Sequence, residues 1–223
     1  MKKDFLPPCI GKRCAVLVIG LFVMSLGVAF SITGNLGTSP ISSLPYTISA
    51  ISNLTVGKAT ILMHCVLVLL QILILRKRYQ PFQLLQLVVA VVFGYLTDFS
   101  LWLLSALGYH NYVQQWILCV IGILLVALGV ALEVTAGVVV LAGEGLVLAV
   151  CEVAPIKFGN MKVVFDVTLV VLACIVGLAF TRQLQGVREG TIAAAICVGL
   201  VSKQYLKPLK KFEERFLTPK EAA

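Results

Sequence analysis

Apolar stretches long enough to cross a lipid bilayer recur along this chain of 223 residues. A transmembrane helix needs about 20 predominantly apolar residues. With 60% hydrophobic and 13% charged residues, the chain carries far more apolar surface than a soluble domain of its length buries. The stretches are Ala15–Thr33, Ala59–Leu75, Leu84–Leu104, Trp116–Val134, Val163–Phe180 and Thr191–Val201 with its flank. We therefore expect an all-α membrane protein with at least six spans.

The net charge of +8 lies almost entirely outside these stretches, in loops and tails. Basic residues that flank spans set the orientation of a membrane protein and contact anionic lipid headgroups. Nothing else in the sequence is typical of nucleic-acid binding, so the lipid bilayer is the partner that this charge indicates. The basic positions are Lys2, Lys3, Lys12, Arg13, Arg76 to Arg78, and those from Lys203 to Lys220.

Motifs for metal sites, cofactors and enzymes are missing from the sequence. The seven cysteines lie mostly within apolar stretches and form no CxxC pair, so we interpret them as small core hydrophobes. The sequence has no HExxH, GxSxG, GxGxxG or GxxxxGK[ST] motif. We expect no enzyme activity, no metal and no cofactor.

The chain contains an internal duplication at an offset of 102 residues. This offset places Val18–Thr33 on Val120–Thr135, with about half of the positions identical. Apolar composition alone matches some positions, but the paired glycines are harder to obtain by chance. The same offset pairs Gly57 with Gly159, Thr60 with Lys162, and His64 with Asp166. Each copy runs long span, short segment, long span, long span, which is a pattern of transporter folds.

The short segments decide how the two copies are related. Gly34–Asn53 has a helical part of about 14 residues from Pro40, near 21 Å and short of a crossing. Its counterpart, Ala136–Pro155, is broken at Gly143-Glu144-Gly145. If both segments are re-entrant, each copy has three crossings and the repeats are inverted. If both cross, the chain has eight transmembrane helices in two parallel four-helix repeats.

Charge favours the inverted arrangement. It places the cluster Arg76 to Arg78 in the cytoplasm, whereas the parallel arrangement places it outside, against the positive-inside tendency. We predict one membrane domain over residues 1–223, with two inverted repeats, each of three transmembrane helices and one short re-entrant helix. The predicted parts are repeat 1 at 14–107, repeat 2 at 114–206 and a cytoplasmic basic tail at 207–223, with both termini cytoplasmic.

Hydroxyl side chains gather where the first short segment begins. Thr38-Ser39-Pro40 is typical of a helix start, because Ser or Thr caps the first amides and proline suits the first helical position. Helix-start amides carried into the membrane favour an anionic or polar group. The candidate substrate-binding residues here are Thr38, Ser39, Ser42, Ser43 and Tyr46. The alternative is that these hydroxyls only cap and pack a short helix.

Glu144 lies between two glycines at the matching break in the second copy. A carboxylate near a helix start is stabilised by the helix dipole. Glu144 is therefore a further candidate for binding a solute, a cation or a proton. The alternative role is an internal cap.

Ionisable residues inside spans are costly and usually face a cavity or a partner. Lys162 and Asp166 are four residues apart and share one helix face, so a structural ion pair is one interpretation. Because His64 and Asp166 are equivalent positions, they are predicted to line a shared centre with Glu144. The candidates for proton coupling or charge pairing are His64, Lys162, Asp166 and Asp98. Glu133, near a span end, is interpreted as reaching the interface.

Several segments together resemble the YczE/YyaS/YitT-like bacterial integral membrane proteins, over nearly the whole chain. These are Gly37–Tyr46, Leu84–Gln86, Phe93–Tyr95 with Asp98, Gly143–Val147, Phe165–Thr168 and Gly186–Thr191. The resemblance implies a multi-pass protein of the bacterial inner membrane. It implies no particular substrate, and His64 departs from the asparagine usual at that position.

Three functions remain open on the sequence. The first is a small secondary transporter or permease for a polar or anionic small solute, with or without a coupled proton. The second is a binding or accessory subunit that works only as part of a larger transporter. The protein partner that we predict is a second copy in a homodimer or a partner transporter subunit. The third is a membrane scaffold without transport, which does not need the ionisable centre.

Overall fold

The computed structural model describes residues 9–183 and 186–217, and the regular structure in these ranges is entirely helical. Short 3₁₀ turns at Arg76–Arg78 and Pro81–Leu84 join the third and fourth helices. The predicted all-α membrane class is confirmed. The eight helices are α1 Ile10–Gly34, α2 Pro40–Ile51, α3 Val56–Leu75, α4 Leu85–Leu103, α5 Tyr112–Ala136, α6 Ala142–Val153, α7 Phe158–Thr181 and α8 Glu189–Phe216.

Five helical stretches in the described residues are long and apolar enough to cross a membrane: α1, α3, α4, α5 and α7, two of them with their 3₁₀ turns. The short helices α2 and α6 have 12 residues each, about 18 Å. In α8 the uninterrupted apolar run lies in the first half, and lysines interrupt the sequence from Lys203. The crossing of α8 stays a prediction.

Equivalent residues end the first helix of each copy. Asn35, after α1, has φ 53°, and Gly137, after α5, has φ 60°. Both backbones are left-handed, a conformation that Asn and Gly adopt most readily. An extended segment follows each of them and leads into the short helix. The chain thus makes the same turn twice, 102 residues apart.

Helices α1 and α5 run antiparallel and pack closely through glycines. A Cβ built on Gly27 would lie 2.6 Å from the backbone nitrogen of Val126, and one on Gly129 would lie 2.7 Å from the Gly20 carbonyl oxygen. Further along, Gly34 faces the carbonyl of Gln115. Only glycine permits backbones this close. Since Gly20 and Gly27 are the counterparts of Gly122 and Gly129, the contact repeats itself under the offset.

Helix packing follows the same two-fold relation elsewhere. Helix α4 packs on α1 as α8 packs on α5, and α7 packs on α2 as α3 packs on α6. The antiparallel α1 and α5 support inverted repeats, although the inversion itself stays a prediction. One pair breaks the relation: α3 packs closely on α4, whereas α7 and α8 make no comparable contact within the described residues.

The basic tail predicted from residue 207 is helical as far as the structure describes it. Helix α8 continues to Phe216, and the tail residues 218–223, like Lys2 and Lys3, lie outside the described residues. Arg13 holds this part of α8 against the rest of the protein. We predicted Arg13 as a charge in a loop or tail, but it is buried. Its guanidinium donates hydrogen bonds to the Ala136 carbonyl and to Glu213. One guanidinium therefore joins the end of α5 to α8.

Candidate functional site

The two short helices begin against each other inside the protein. The Ile41 side chain, at the start of α2, leaves no room for a Cβ on Gly143, at the start of α6. Gln71 from α3 donates to the Ala142 carbonyl at 3.1 Å and to Gln86 from α4 at 2.9 Å. Both helix starts are thus held within contact distance at the centre of the packed helices.

A cluster of ionisable side chains surrounds the start of α6. Lys162 Nζ lies 2.8 Å from Oδ1 of Asp166 and 3.6 Å from Oε1 of Glu144. All three side chains are partly buried, with exposures between 19% and 28%. The second carboxylate oxygen of Glu144, Oε2, is buried and has no hydrogen-bond partner among the residues that the structure describes. The predicted Lys162–Asp166 pair is therefore present, but as part of a three-residue cluster.

Glu133 belongs to the same cluster and does not reach the interface as predicted. It is 3% exposed, and its carboxylate accepts a hydrogen bond from the amide of Leu141, the residue before α6. Both Glu144 and Lys162 lie within electrostatic reach of it. The position of Glu133 in a span is typical of a functional residue. The sequence alone did not show that the chain folds back so that Leu141, eight residues later, contacts Glu133.

His64 approaches this cluster from α3. Its side chain is 1% exposed, and Nδ1 is buried without a hydrogen-bond partner in the described chain. The ring meets Phe93 edge-on, with 6.4 Å between centroids. Glu144 acts on the imidazole electrostatically. The structure thus brings together four of the residues that we predicted to share a centre or a charge pair: His64, Glu144, Lys162 and Asp166.

The two copies differ in charge at this centre. The offset of 102 residues pairs four neutral residues of the first copy with four charged residues of the second. All of the neutral residues are buried. The pairs are Ser31 with Glu133, Ser42 with Glu144, Thr60 with Lys162, and His64 with Asp166. Ionic chemistry is therefore concentrated on the second copy.

The hydroxyl groups predicted to bind a solute at the start of α2 mostly form hydrogen bonds with neighbouring residues of the same helix start. Ser43 Oγ donates to the Pro40 carbonyl, and Ser39 Oγ donates to Ser42 Oγ at 3.1 Å. Ser39 is the N-cap by position, but its hydroxyl caps no amide. Thr38 is 2% exposed and Tyr46 is half-buried. These last two residues line a cavity.

The first cavity lies where α1 ends and α2 and α8 begin, and its volume is about 370 Å³. Arg188 supplies its charge: Nη1 donates to the Asn35 carbonyl at 2.8 Å, and Nε lies 3.6 Å from Glu189. The Arg188–Glu189 pair predicted as a local surface pair exists, but the guanidinium also faces the cavity. The lining residues are Ser31, Ile32, Asn35, Gly37, Thr38, Tyr46, Gln183, Gly186 and Arg188.

The second cavity, of about 310 Å³, occupies the matching place in the second copy. Gly137, Val139, Val140 and Leu148 line it where Asn35, Gly37, Thr38 and Tyr46 line the first. Because α1 and α5 are antiparallel, the two cavities lie at opposite ends of that helix pair. The remaining lining residues include Leu75, Phe82, Gln83, Gln86, Gly145, Ala149 and Glu152.

Asp98 lies apart from the central cluster. Its carboxylate accepts hydrogen bonds from Thr55 Oγ1 at 2.6 Å and from the Gly57 amide at 2.7 Å. The carboxylate thus provides an acceptor for a free backbone amide in the first turn of α3, as a capping carboxylate does. The structure therefore gives Asp98 a capping position, at a distance from the groups predicted to act with it.

Comparison with known proteins gives a family and a relative. A family model described as a family of unknown function (DUF6198) matches residues 11–207. The uncharacterised protein YyaS of Bacillus subtilis is 33% identical over 115 residues, which cover 51% of this chain and 56% of that relative. The chain thus matches about half the length of this relative. No solved structure matches the chain.

Proposed function

The chain belongs to this family of unknown function, as its resemblance to YyaS-like proteins predicted, and we propose that it is a small secondary transporter or permease for a polar or anionic solute. One observation carries the proposal. Two cavities at opposite ends of α1 and α5, built from equivalent residues, each lie at the start of a short helix. Transporters with inverted repeats bind solute between such broken helices.

The Ile41 side chain packs against Gly143, so the starts of α2 and α6 are in contact. In the proposed cycle, solute enters one cavity, the starts of α2 and α6 move apart, and solute leaves through the other. The two-fold relation supports this cycle, because exchanging the conformations of the two copies exchanges which cavity is open.

The central cluster supports coupling to a proton as an addition to this function. A carboxylate oxygen of Glu144 and a ring nitrogen of His64 are buried without partners. Such groups can accept a proton without breaking an existing hydrogen bond. Glu133 and Asp166, in electrostatic contact with Lys162, complete the set of groups that we propose for coupling.

The proposed location is the bacterial inner membrane, with both termini in the cytoplasm. The helices indicate a multi-pass membrane protein. Under the positive-inside tendency, Arg76 to Arg78 lie on the cytoplasmic side. Leu75, directly before this cluster, lines the second cavity. The second cavity is therefore proposed to open to the cytoplasm and the first to the outside.

Reconstitution of the purified protein alone in liposomes tests this proposal. A panel of polar and anionic solutes, with and without a pH gradient, is expected to give flux that protein-free liposomes lack. Glu144→Gln removes the central negative charge and is expected to reduce the flux at least tenfold. Lys58→Gln, an exposed position outside both cavities, serves as the matched control. Liposomes without flux for any solute would contradict the proposal.

A second candidate function, the accessory subunit, is favoured by the outer face of α7. This helix lacks the neighbour that α3 has in α4, and much of its apolar surface is exposed. The exposed residues include Val163, Val167, Val171, Ile175, Leu178 and Phe180. A partner transporter subunit would bury this face. This candidate predicts flux only when the partner is added, and a scaffold without transport predicts none.

A further inference from the structure

We propose that the first cavity binds a small organic carboxylate, which takes the place in the first copy that the Glu133 carboxylate takes in the second. This assignment rests on the proposed transport function and names the substrate class. It follows from comparing equivalent positions of the two copies.

In the second copy, a side chain of the protein occupies the helix start. The Glu133 carboxylate, from the last turn of α5, accepts a hydrogen bond from the Leu141 amide directly before α6. The free amides and the positive end of the dipole at a helix start favour an anion there. The second copy thus contains its own bound carboxylate.

In the first copy, the equivalent place lacks an acid. Ser31 stands where the second copy has Glu133, and Ser39 stands where it has Leu141. No described residue accepts a hydrogen bond from the Ser39 amide. A serine side chain is shorter than a glutamate side chain by two carbons and an oxygen. The first copy therefore supplies no carboxylate from this position, and Ser31 and Thr38 line the first cavity.

Ser31 gives an independent sign of a ligand. It is 4% exposed, yet it lines the first cavity. Its hydroxyl makes no hydrogen bond with any described residue. A hydroxyl on a cavity-lining residue, without a partner among the described residues, is therefore an available contact for a polar ligand.

Arg188 supplies the opposite charge. It is the only basic or acidic side chain among the described residues lining the first cavity. A guanidinium binds a carboxylate through two parallel hydrogen bonds, and Nη2 of Arg188 has no acceptor among the described residues. The second cavity instead has Gln83 and Gln86 on the α4 side and Glu152 as its ionisable residue. The first cavity is thus suited to an anion and the second is not.

The size of the first cavity limits the ligand. A volume of about 370 Å³ is near the lower end for small-molecule sites. Ile32 and the Tyr46 ring add apolar surface to the lining. The ligand is therefore a small carboxylate with a compact, partly apolar remainder.

Thermal unfolding of the purified full-length protein in detergent tests the assignment. Acetate, lactate and benzoate are the probes, with chloride at matched ionic strength as the reference. A bound ligand stabilises the folded state, so at least one carboxylate is expected to raise the Tm by about 3 °C or more at tenfold excess over its Kd. Equal effects of chloride and all three carboxylates would overturn the assignment.

Variants locate the binding. Arg188→Gln is expected to weaken the carboxylate effect at least tenfold, whereas Lys58→Gln, an exposed control, is expected to keep it. Ser31→Glu recreates the arrangement of the second copy and is expected to abolish the response, because the new carboxylate occupies the site. If Ser31→Glu does not fold, Ser31→Ala replaces it and is expected to weaken binding. A full response in Arg188→Gln contradicts the assignment.

The outcome separates this assignment from the proposed function. Carboxylate binding without flux in liposomes would reject transport and keep the site. Flux of another solute, with no carboxylate response in the unfolding assay, would keep transport and reject the site.

Discussion

The ammonium of Lys162 lies 2.8 Å from Oδ1 of Asp166, one turn further along α7, inside a stretch apolar enough to span the membrane. The same ammonium is 3.6 Å from Glu144 on α6. One cation therefore links two helices and balances more than one carboxylate. This makes Lys162 the residue on which the ionic centre depends.

Lys162→Met is expected to destabilise the protein more than Asp166→Asn does. Without the lysine, Glu144 and Asp166 face each other unbalanced, whereas without Asp166 the lysine keeps Glu144 as a partner. Breaking a buried pair costs about 3–5 kcal/mol, and we expect about 2 kcal/mol here because the side chains are partly exposed. Thermal unfolding in detergent measures this difference. Equal losses in the two variants would show that Lys162 and Asp166 act only as a pair.

Glu133→Ala is expected to cost about 1–3 kcal/mol, because it leaves the buried Leu141 amide without an acceptor. Glu133→Gln keeps an acceptor oxygen and is expected to retain most of the stability. Comparing the two Tm values separates the hydrogen bond from the charge. A glutamine variant as unstable as the alanine variant would mean that the negative charge, and not the acceptor, holds the start of α6.

Gly27→Ala is expected to destabilise by about 1–3 kcal/mol. Its new Cβ would lie 2.6 Å from the backbone nitrogen of Val126. A backbone atom in a helix cannot move aside as the end of a side chain can. Gly199→Ala in α8 is the matched control, since nothing lies within 4 Å of a Cβ built there. It is expected to be neutral or slightly stabilising. Chemical or thermal unfolding of both variants provides the test, and a neutral Gly27→Ala would contradict the close α1 and α5 contact.

Arg13→Gln is expected to lower the Tm more than Glu213→Gln does. The Arg13 guanidinium donates to Glu213 and to two carbonyls at the end of α5. When the Glu213 carboxylate is lost, Arg13 keeps its hydrogen bonds to these carbonyls. A double-mutant cycle of these two substitutions is expected to show a coupling of about 1 kcal/mol. Lys210→Gln, an exposed position on α8, controls for the loss of positive charge. A coupling near zero would mean that the two side chains do not interact in the membrane protein.

Gln80→Cys reports the orientation of the loop between α3 and α4. In the inverted arrangement this position is cytoplasmic, so an impermeant thiol reagent added to whole cells is expected to leave it unlabelled. Gly108→Cys, in the loop between α4 and α5, is expected to be labelled under the same conditions. A background without the native cysteines gives a clean signal. Labelling of Gln80→Cys from outside would reject the inverted arrangement.

Local signals in the sequence predicted the short helices and their starts well. Pro40 opens α2 as its fixed φ allows. Gly143-Glu144-Gly145, predicted as a break, lies in the first turns of α6, which begins at Ala142. The apolar stretches and the offset of 102 residues were enough to predict the order of long and short helices. These features depend on residues close together in the chain, which is why the sequence alone carries them.

Features that depend on distant contacts were not predicted. Arg13 is buried because its partners come from α5 and α8, more than 120 residues away in sequence. Glu133 is buried because the segment after α5 folds back over it. Asp98 was predicted as a candidate for proton coupling or charge pairing, and in the structure it contacts Thr55 and Gly57 at the start of α3. Charge in a span marks a costly position but does not identify its partner.

The crossing of α1 and α5 has a consequence for the origin of the chain. Gly20 faces Gly129, and Gly27 faces Gly122, so each helix uses the same surface that its counterpart uses. Such a self-complementary surface is the isologous interface of a two-fold homodimer. A half-length ancestor able to insert in both orientations would form this interface between two identical copies. In the present chain the two copies share this interface and yet differ in charge beside it, as Ser31 and Glu133 do.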